Sequence, residues 1–349
     1  MNNLSVPAFF FEVAVDSEGI ERNQVVDGQQ RLTTLKQFYD RKFRLVESGD
    51  APYISPNSVH YAGKTFDELP TVYQQSFQKY RLAIIKLRDL KDMRLEVFRR
   101  INQGGTPLSG QDIRLAYYGE NSPSLAFIRL AGIYDKSRQA AQRFIRIAEE
   151  KYSIKHPWND LNALENWQDL WAEKDVSRGQ TASEMFLWSL MAAQHSQLDA
   201  ILQNGDALRK LNVAYNREID GAMDVYCAQL RYQDAPSTIP PALMPLESMS
   251  KQFFPHFQSF FNAITSFGPS IDVRKYRTIA SLIGACYRSG TVNANWSRDQ
   301  WGRAVEFIRR PTDSVNMFGV LWPQSKGRWD GAKGYRAQME AAETIAKQI

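Results

Sequence analysis

The stretch Val25-Val26-Asp27-Gly28-Gln29-Gln30-Arg31-Leu32-Thr33-Thr34-Leu35 decides how the first third of the chain is read. Two valines end a β-forming run, Asp27-Gly28 is a turn signal, and from Leu32 the period changes. Leu32, Leu35, Phe38 and Tyr39 recur at helical spacing on one face. The reading is strand, tight turn, helix. A glycine turn in that position leaves the first amides of a helix pointing outward, where the helix dipole also favours an anion. Arg31 adds a fixed cation with fork geometry, Gln29 and Gln30 add neutral donors and acceptors, and Gly28 lets backbone approach a ligand closely. Asp27 is the lone acid of the motif. It could position a metal-bound or attacking water, or simply cap the helix.

Outward from this motif, Pro7 to Val15 reads as a buried strand, and Phe43 to Val46 as a further strand. Asp67 to Lys79 reads as a helix interrupted near Pro70, and Arg81 to Leu87 as a strand. Asp92 to Asn102 has a helical apolar side ending at Gly104-Gly105. Ser109 is placed to cap a new helix, with Asp112 near its first amides. Beyond Gly119 to Pro123 the periodicity is helical: 124–132, 140–152, 159–172, 182–193, 206–230, 248–267 and 274–287. The expectation is an α+β protein: a small mixed α/β domain over residues 1–120, then a mostly helical region over 121–349.

Composition bounds the function. The 349 residues are 43% hydrophobic and 23% charged, ordinary values for a globular chain with a sizeable core. Cys227 and Cys286 are too few for a disulfide framework or a cysteine-only zinc site, which fits a reduced compartment. The longest near-apolar run, Met185 to Ala193, is about half of the ~18–20 residues a membrane span needs, and no export signal opens the chain. A cytoplasmic protein with no membrane partner is expected.

The net charge of +5 is unevenly placed. Of 43 Lys+Arg and 38 Asp+Glu, 13 basic and 7 acidic residues lie from Ser270 onward, which leaves 30 basic and 31 acidic before it. Arg298, Arg303, Arg309 and Arg310 alternate there with Trp296, Trp301, Phe307 and Trp322. Cations that meet phosphates and rings that stack on bases suit a nucleic-acid surface, so these four arginines are candidate DNA contacts. A helical core with a solvated basic rim gives the same pattern.

Other chemistries lack their residues. Gly63-Lys64-Thr65 resembles the end of a P-loop, but the earlier glycine position holds Ser58, and no GxSxG, HExxH or Rossmann fingerprint occurs. His60, His156, His195 and His256 are scattered; only His156 has an asparagine nearby, at Asn159. No histidine-based nuclease centre is evident.

Three segments, in order, resemble the GmrSD restriction endonuclease N-terminal domain family. They are Asp27 to Arg31 with its flanking valines and Leu-Thr-Thr-Leu, Gly63 to Pro70, and Val97 to Ser109 with Asp112-Ile113-Arg114. The resemblance covers Leu4 to Tyr118. It implies a ParB/sulfiredoxin-like domain with the DGQQR segment in a nucleotide site, in a system that defends against phage DNA. Carried over, Gly28, Gln29, Gln30 and Arg31 bind nucleotide. Arg100 and Asn102, with Arg99 as the other arginine candidate, join them from the helix-end segment. Asp27, Gln30 and Arg31 are the catalytic candidates, and Asp27 is the candidate metal ligand. The implied cofactor is an NTP with Mg2+, and the implied partners are DNA and a nuclease or other defence protein. The resemblance also implies a segment upstream of the first strand, which in this sequence begins almost at Met1. The alternative is a non-enzymatic DNA-binding or adaptor module that uses the same turn for a backbone phosphate.

Overall fold

The computed structural model describes residues 6–15, 18–46, 60–88, 109–172, 180–213, 215, 219–235, 241–267, 275–290, 296–323 and 332–349. The chain divides into two compact units, Met1–Pro107 and Leu108–Ile349. A small sheet followed by many helices makes it α+β with a helical C-terminal region, as expected.

In the first unit, β1 (Phe9–Val15) pairs antiparallel with β2 (Glu21–Asp27) and parallel with β3 (Ile84–Leu87), giving the order β2-β1-β3. Phe10 faces Asp27 and Phe11 faces Val25, so the register slips between Phe10 and Phe11. Such a bulge re-aims the side chains around it, and here it lies at the end of β2 where the DGQQR segment begins. Helix α1 (Gln29–Tyr39) follows at once. Its buried side is Phe38, which meets Phe43, Phe66 and Phe77 at ring distances of 5.5–6.0 Å. A single 3-10 turn at Phe66–Glu68, then Pro70, then α2 (Thr71–Lys79) reproduce the interruption read at Pro70. Proline lacks the amide that would continue the first piece.

Residues 43–46 do not form the expected strand. Leu45 exchanges backbone hydrogen bonds with Lys64 and Gly63, but Phe43 and Leu45 pack as part of the aromatic cluster around Phe38. The β-like composition served ring packing instead of a ladder. The helix expected over 92–102 lies outside the described residues.

Every regular element described in the second unit is a helix. Its helices are α3 (Gly110–Tyr117), α4 (Pro123–Ala131), α5 (Gln139–Tyr152), α6 (Leu161–Ala172), α7 (Thr181–Ala193), α8 (His195–Gln203), α9 (Gly205–Leu211) and α10 (Ile219–Asp234). These are followed by α11 (Phe254–Phe267), α12 (Tyr276–Ser289), α13 (Arg298–Arg309), α14 (Ser314–Phe318) and α15 (Ala332–Gln348). Ser109 caps α3 as its sequence proposes, accepting from the Asp112 amide while the Asp112 carboxylate accepts from the Ser109 amide. The single helix read over 206–230 is two. Asn212 takes a left-handed conformation, φ 52°, and ends α9, a position that asparagine tolerates better than most residues.

Helix α7 is the axis of this unit: Ala182 to Ala193 are all buried. Helix α12 crosses it closely enough that a Cβ at Gly284 would lie 2.3 Å from the Ser189 carbonyl oxygen. Side chains that would otherwise be polar orphans find partners there, as where Trp188 Nε1 donates to Ser281 Oγ at 2.7 Å. At another edge, Trp158 and Trp167 stack at 5.0 Å and Phe261 meets Trp167 edge-on at 4.9 Å, so these tryptophans are core. Among the described residues no helix is long and apolar enough to cross a membrane.

Candidate functional site

The DGQQR segment is the junction of β2 and α1. Gly28 is the residue before the helix and has φ 95°, a conformation that side-chain-bearing residues rarely adopt. A Cβ here would also sit 2.4 Å from Phe9 Cδ1. The glycine is therefore needed twice, for its backbone angle and for the ring beneath it. No side chain caps the helix start, so Asp27 is not its cap. Gln29 and Gln30 begin the helix and are exposed.

Arg31 turns back toward β1. Its Nη2 donates to Asp27 Oδ2 at 2.5 Å, and Nη1 donates to the Pro7 and Ala8 carbonyls at 2.8 and 3.3 Å. The guanidinium lies 5.1 Å from the centre of the Phe9 ring. Asp27 and Arg31 keep 28% and 31% of their side-chain surface open to solvent, so the pair is neither sealed nor free. An entering phosphate would compete with the Asp27 carboxylate for Nη2. The structure thus brings Asp27, Gly28, Gln29, Gln30 and Arg31 to one exposed corner; Arg99, Arg100 and Asn102 lie outside the described residues.

A metal has little to hold it here. Asp27 is the only acid of the DGQQR segment and is already engaged by Arg31, and among the described residues no three His, Cys, Asp or Glu converge. The residues present would fit only a cation that arrives on phosphate oxygens, with Asp27 at most one ligand.

The four C-terminal arginines sit on α13 or at its end, all exposed. Arg298 and Arg309 are separated by three helical turns and share one side; Arg303 and Arg310, two turns apart, share another. Arg310 pairs with Glu306 at 2.8 Å, and Arg303 lies over the Phe318 ring at 5.0 Å. Trp301, Phe307 and Trp322 are buried, so the arginines rim a core and these three rings are not a base-stacking surface.

The histidines stay apart. His60 stacks on Tyr73, His195 lies 3.3 Å from an Arg288 nitrogen, and His256 Nε2 meets the Ile283 carbonyl at 3.0 Å. His156 is buried, with the backbone of Ile133 and Trp158 beside its ring. Burial, then Lys136, push its pKa down to about 4. Burial pushes the Cys227 thiol up to about 12, which makes it inert.

A charged centre that single-residue reading did not single out lies in the second unit. Arg114 of α3 is 1% exposed; Nε donates to Asp224 at 3.1 Å and Nη2 to Asp220 at 2.7 Å, both on α10. Glu184 of α7 stands 3.8 Å from Nη1 and also receives Arg277 at 2.9 Å and the Tyr276 hydroxyl at 2.5 Å. Burial alone would lower the Arg114 pKa, but Asp224, Asp220 and Glu184 outweigh it and hold the pKa above its usual value. The only sequence signal for this network was the Asp112-Ile113-Arg114 segment of the family resemblance; its carboxylate partners lie 70 to 110 residues downstream.

No curated protein and no solved structure matches the chain. Residues 1–119, from β1 through the DGQQR corner to Arg114 and the end of α3, match the family described as GmrSD restriction endonuclease, N-terminal domain.

Proposed function

We propose that the N-terminal domain binds a nucleoside triphosphate at the Asp27 to Arg31 corner and hydrolyses it, in a restriction-type defence protein whose helical region contacts DNA or a nuclease partner. The observation that carries this reading is the helix start at Gly28. Its left-handed turn and uncapped first amides lie between exposed Gln29 and Gln30 and the partly open Arg31 guanidinium. The match to a restriction endonuclease domain family supports a defence role acting on DNA.

Within that reading, the phosphates displace Asp27 from Arg31 Nη2, and Gln30 donates to the same phosphates. The freed Asp27 carboxylate then accepts a proton from, and orients, the attacking water. The guanidinium stays anchored to the Pro7 carbonyl through Nη1, so one charged group holds both the segment leading into the first strand and the ligand. Mg2+ bound with the triphosphate would supply charge neutralisation.

The test is NTP binding and phosphate release by the full chain and its Arg31→Ala and Gln30→Ala variants. Loss of binding in both is expected; unchanged affinity in both overturns the phosphate cradle. Asp27→Asn should bind nucleotide and fail to release phosphate.

The internal engagement of Arg31 favours one other reading, an adaptor that grips a DNA backbone phosphate without turnover. Strong duplex binding without nucleotide, falling steeply with salt, together with no phosphate release from any NTP, would select it.

A further inference from the structure

Between α4, α5, α6 and the start of α7 lies a cavity of about 170 Å3. That is close to the ~150 Å3 known to accommodate a benzene ring. Its walls are mixed in an informative way. Phe144, Tyr134 and Trp171 supply flat apolar surface, with the Tyr134 and Trp171 rings aligned within 24° of each other.

Two of the polar groups on this cavity, Arg129 and Trp171, carry a buried donor without an acceptor. Arg129 lines it with its guanidinium 3.8 Å from the centre of the Phe144 ring, and its Nε is buried with no hydrogen-bond partner. Among the described residues no carboxylate forms an ion pair with it. Burial pushes its pKa down to about 10, offset in part by Asp112, so the group remains a cation at neutral pH. Trp171 is 1% exposed, and its Nε1 is a second buried donor with no partner.

Buried polar groups are nearly always satisfied in folded proteins, and a cation facing an apolar wall without a counter-ion is costly. Cation–π contact with Phe144 compensates for part of the charge and none of the missing acceptors. The start of α7 adds to the same field. Gln180 precedes it in a left-handed conformation, φ 53°, gives no side-chain cap, and with Ala182 lines the cavity. The rim acid, Asp135, is occupied by Ser137 and by Arg138 at 3.0 Å, so it does not serve Arg129.

We propose that this cavity binds a small organic anion, a phosphate or carboxylate carried on a flat ring. The anionic head accepts from Arg129 and Trp171 Nε1, and the ring lies against Phe144 and Tyr134. The site is separate in sequence from the DGQQR corner and does not depend on nucleotide binding there.

The probes are phenyl phosphate, benzoate and inorganic phosphate, titrated calorimetrically into the full chain at millimolar concentrations. Phenyl phosphate and benzoate should bind, and inorganic phosphate should bind at least tenfold more weakly because it cannot use the aromatic walls. Arg129→Met should weaken phenyl phosphate at least tenfold, and Arg143→Ala, on an exposed face of α5, should not change it. A measurement independent of variant folding is the indole N–H resonance of Trp171, assigned with Trp171→Phe, which should shift on adding phenyl phosphate to the parent chain. No heat and no indole shift with any probe overturns the proposal. So does equal affinity in Arg129→Met, or equal affinity for inorganic and phenyl phosphate.

Discussion

Replacing Arg114 by methionine keeps most of the side-chain volume and removes the charge from the centre of three carboxylates. Their consequences differ. Asp220 keeps 65% of its side-chain surface in water, so its loss of a partner is a surface event worth under about 1 kcal/mol. Glu184 keeps Arg277 at 2.9 Å and the Tyr276 hydroxyl. Asp224 is 5% exposed and loses an Nε donor at 3.1 Å. Breaking a buried pair by deleting one partner costs about 3–5 kcal/mol. For a unit of this size, each kcal/mol moves the thermal midpoint by about 2–4 °C, so a fall of about 10 °C is expected. Circular dichroism melts and urea titrations of the full chain measure it. The double variant Arg114→Met/Asp224→Leu should recover most of the loss, because an apolar pair replaces the buried charges at nearly no net cost. A single variant within about 1 kcal/mol of the parent, or a double variant no better than the single, refutes the reasoning.

Other consequences can be measured separately. Gly28→Ala must place a Cβ at φ 95° and against Phe9, so at least about 1 kcal/mol of stability should be lost; a urea titration that shows no change would contradict the turn geometry. His156 is held neutral with a pKa of about 4, below its unfolded value of about 6.5. Its contribution is therefore complete above the unfolded value and is lost as pH falls toward 4, by up to about 3 kcal/mol, because only the unfolded chain takes up the proton. Melts of His156→Gln against parent between pH 7 and about pH 4 should show a shallower decline in the variant. Cys227 and Cys286 are fully buried, so a thiol reagent should modify neither until the helical unit unfolds; prompt modification under native conditions would contradict the packing.

Local chemistry made much of the N-terminal third of the chain legible. A change of period at Asp27-Gly28, a proline at 70 and a serine three residues before Asp112 each act within one turn of chain, and each produced the element expected. The failures are non-local. Phe43 to Val46 has strand composition, but a ladder needs a partner strand, and the rings of Phe38 and Phe66 claimed Phe43 first. The end of α9 is marked by the left-handed backbone conformation of Asn212, which the periodicity of the sequence does not reveal. At the candidate site, the motif gave the corner and its residues, but not that Arg31 reaches back to Asp27 and to the carbonyls of Pro7 and Ala8. Burial of Trp301, Phe307 and Trp322 was likewise undecidable from alternation with arginine, since rim and core alternate on any amphipathic helix. Arg129 gave no signal at all, because a missing counter-ion is a property of three-dimensional surroundings.

The family-matched stretch stops at 119, yet its last helix, α3, is rooted in the second unit through Arg114 and carboxylates supplied by α7 and α10. Transplanting residues 1–119 onto a different effector body would strand a guanidinium whose counter-charges stayed behind. The portable cassette, for anyone building chimeras, ends near Pro107, and α3 travels with the helices that neutralise it.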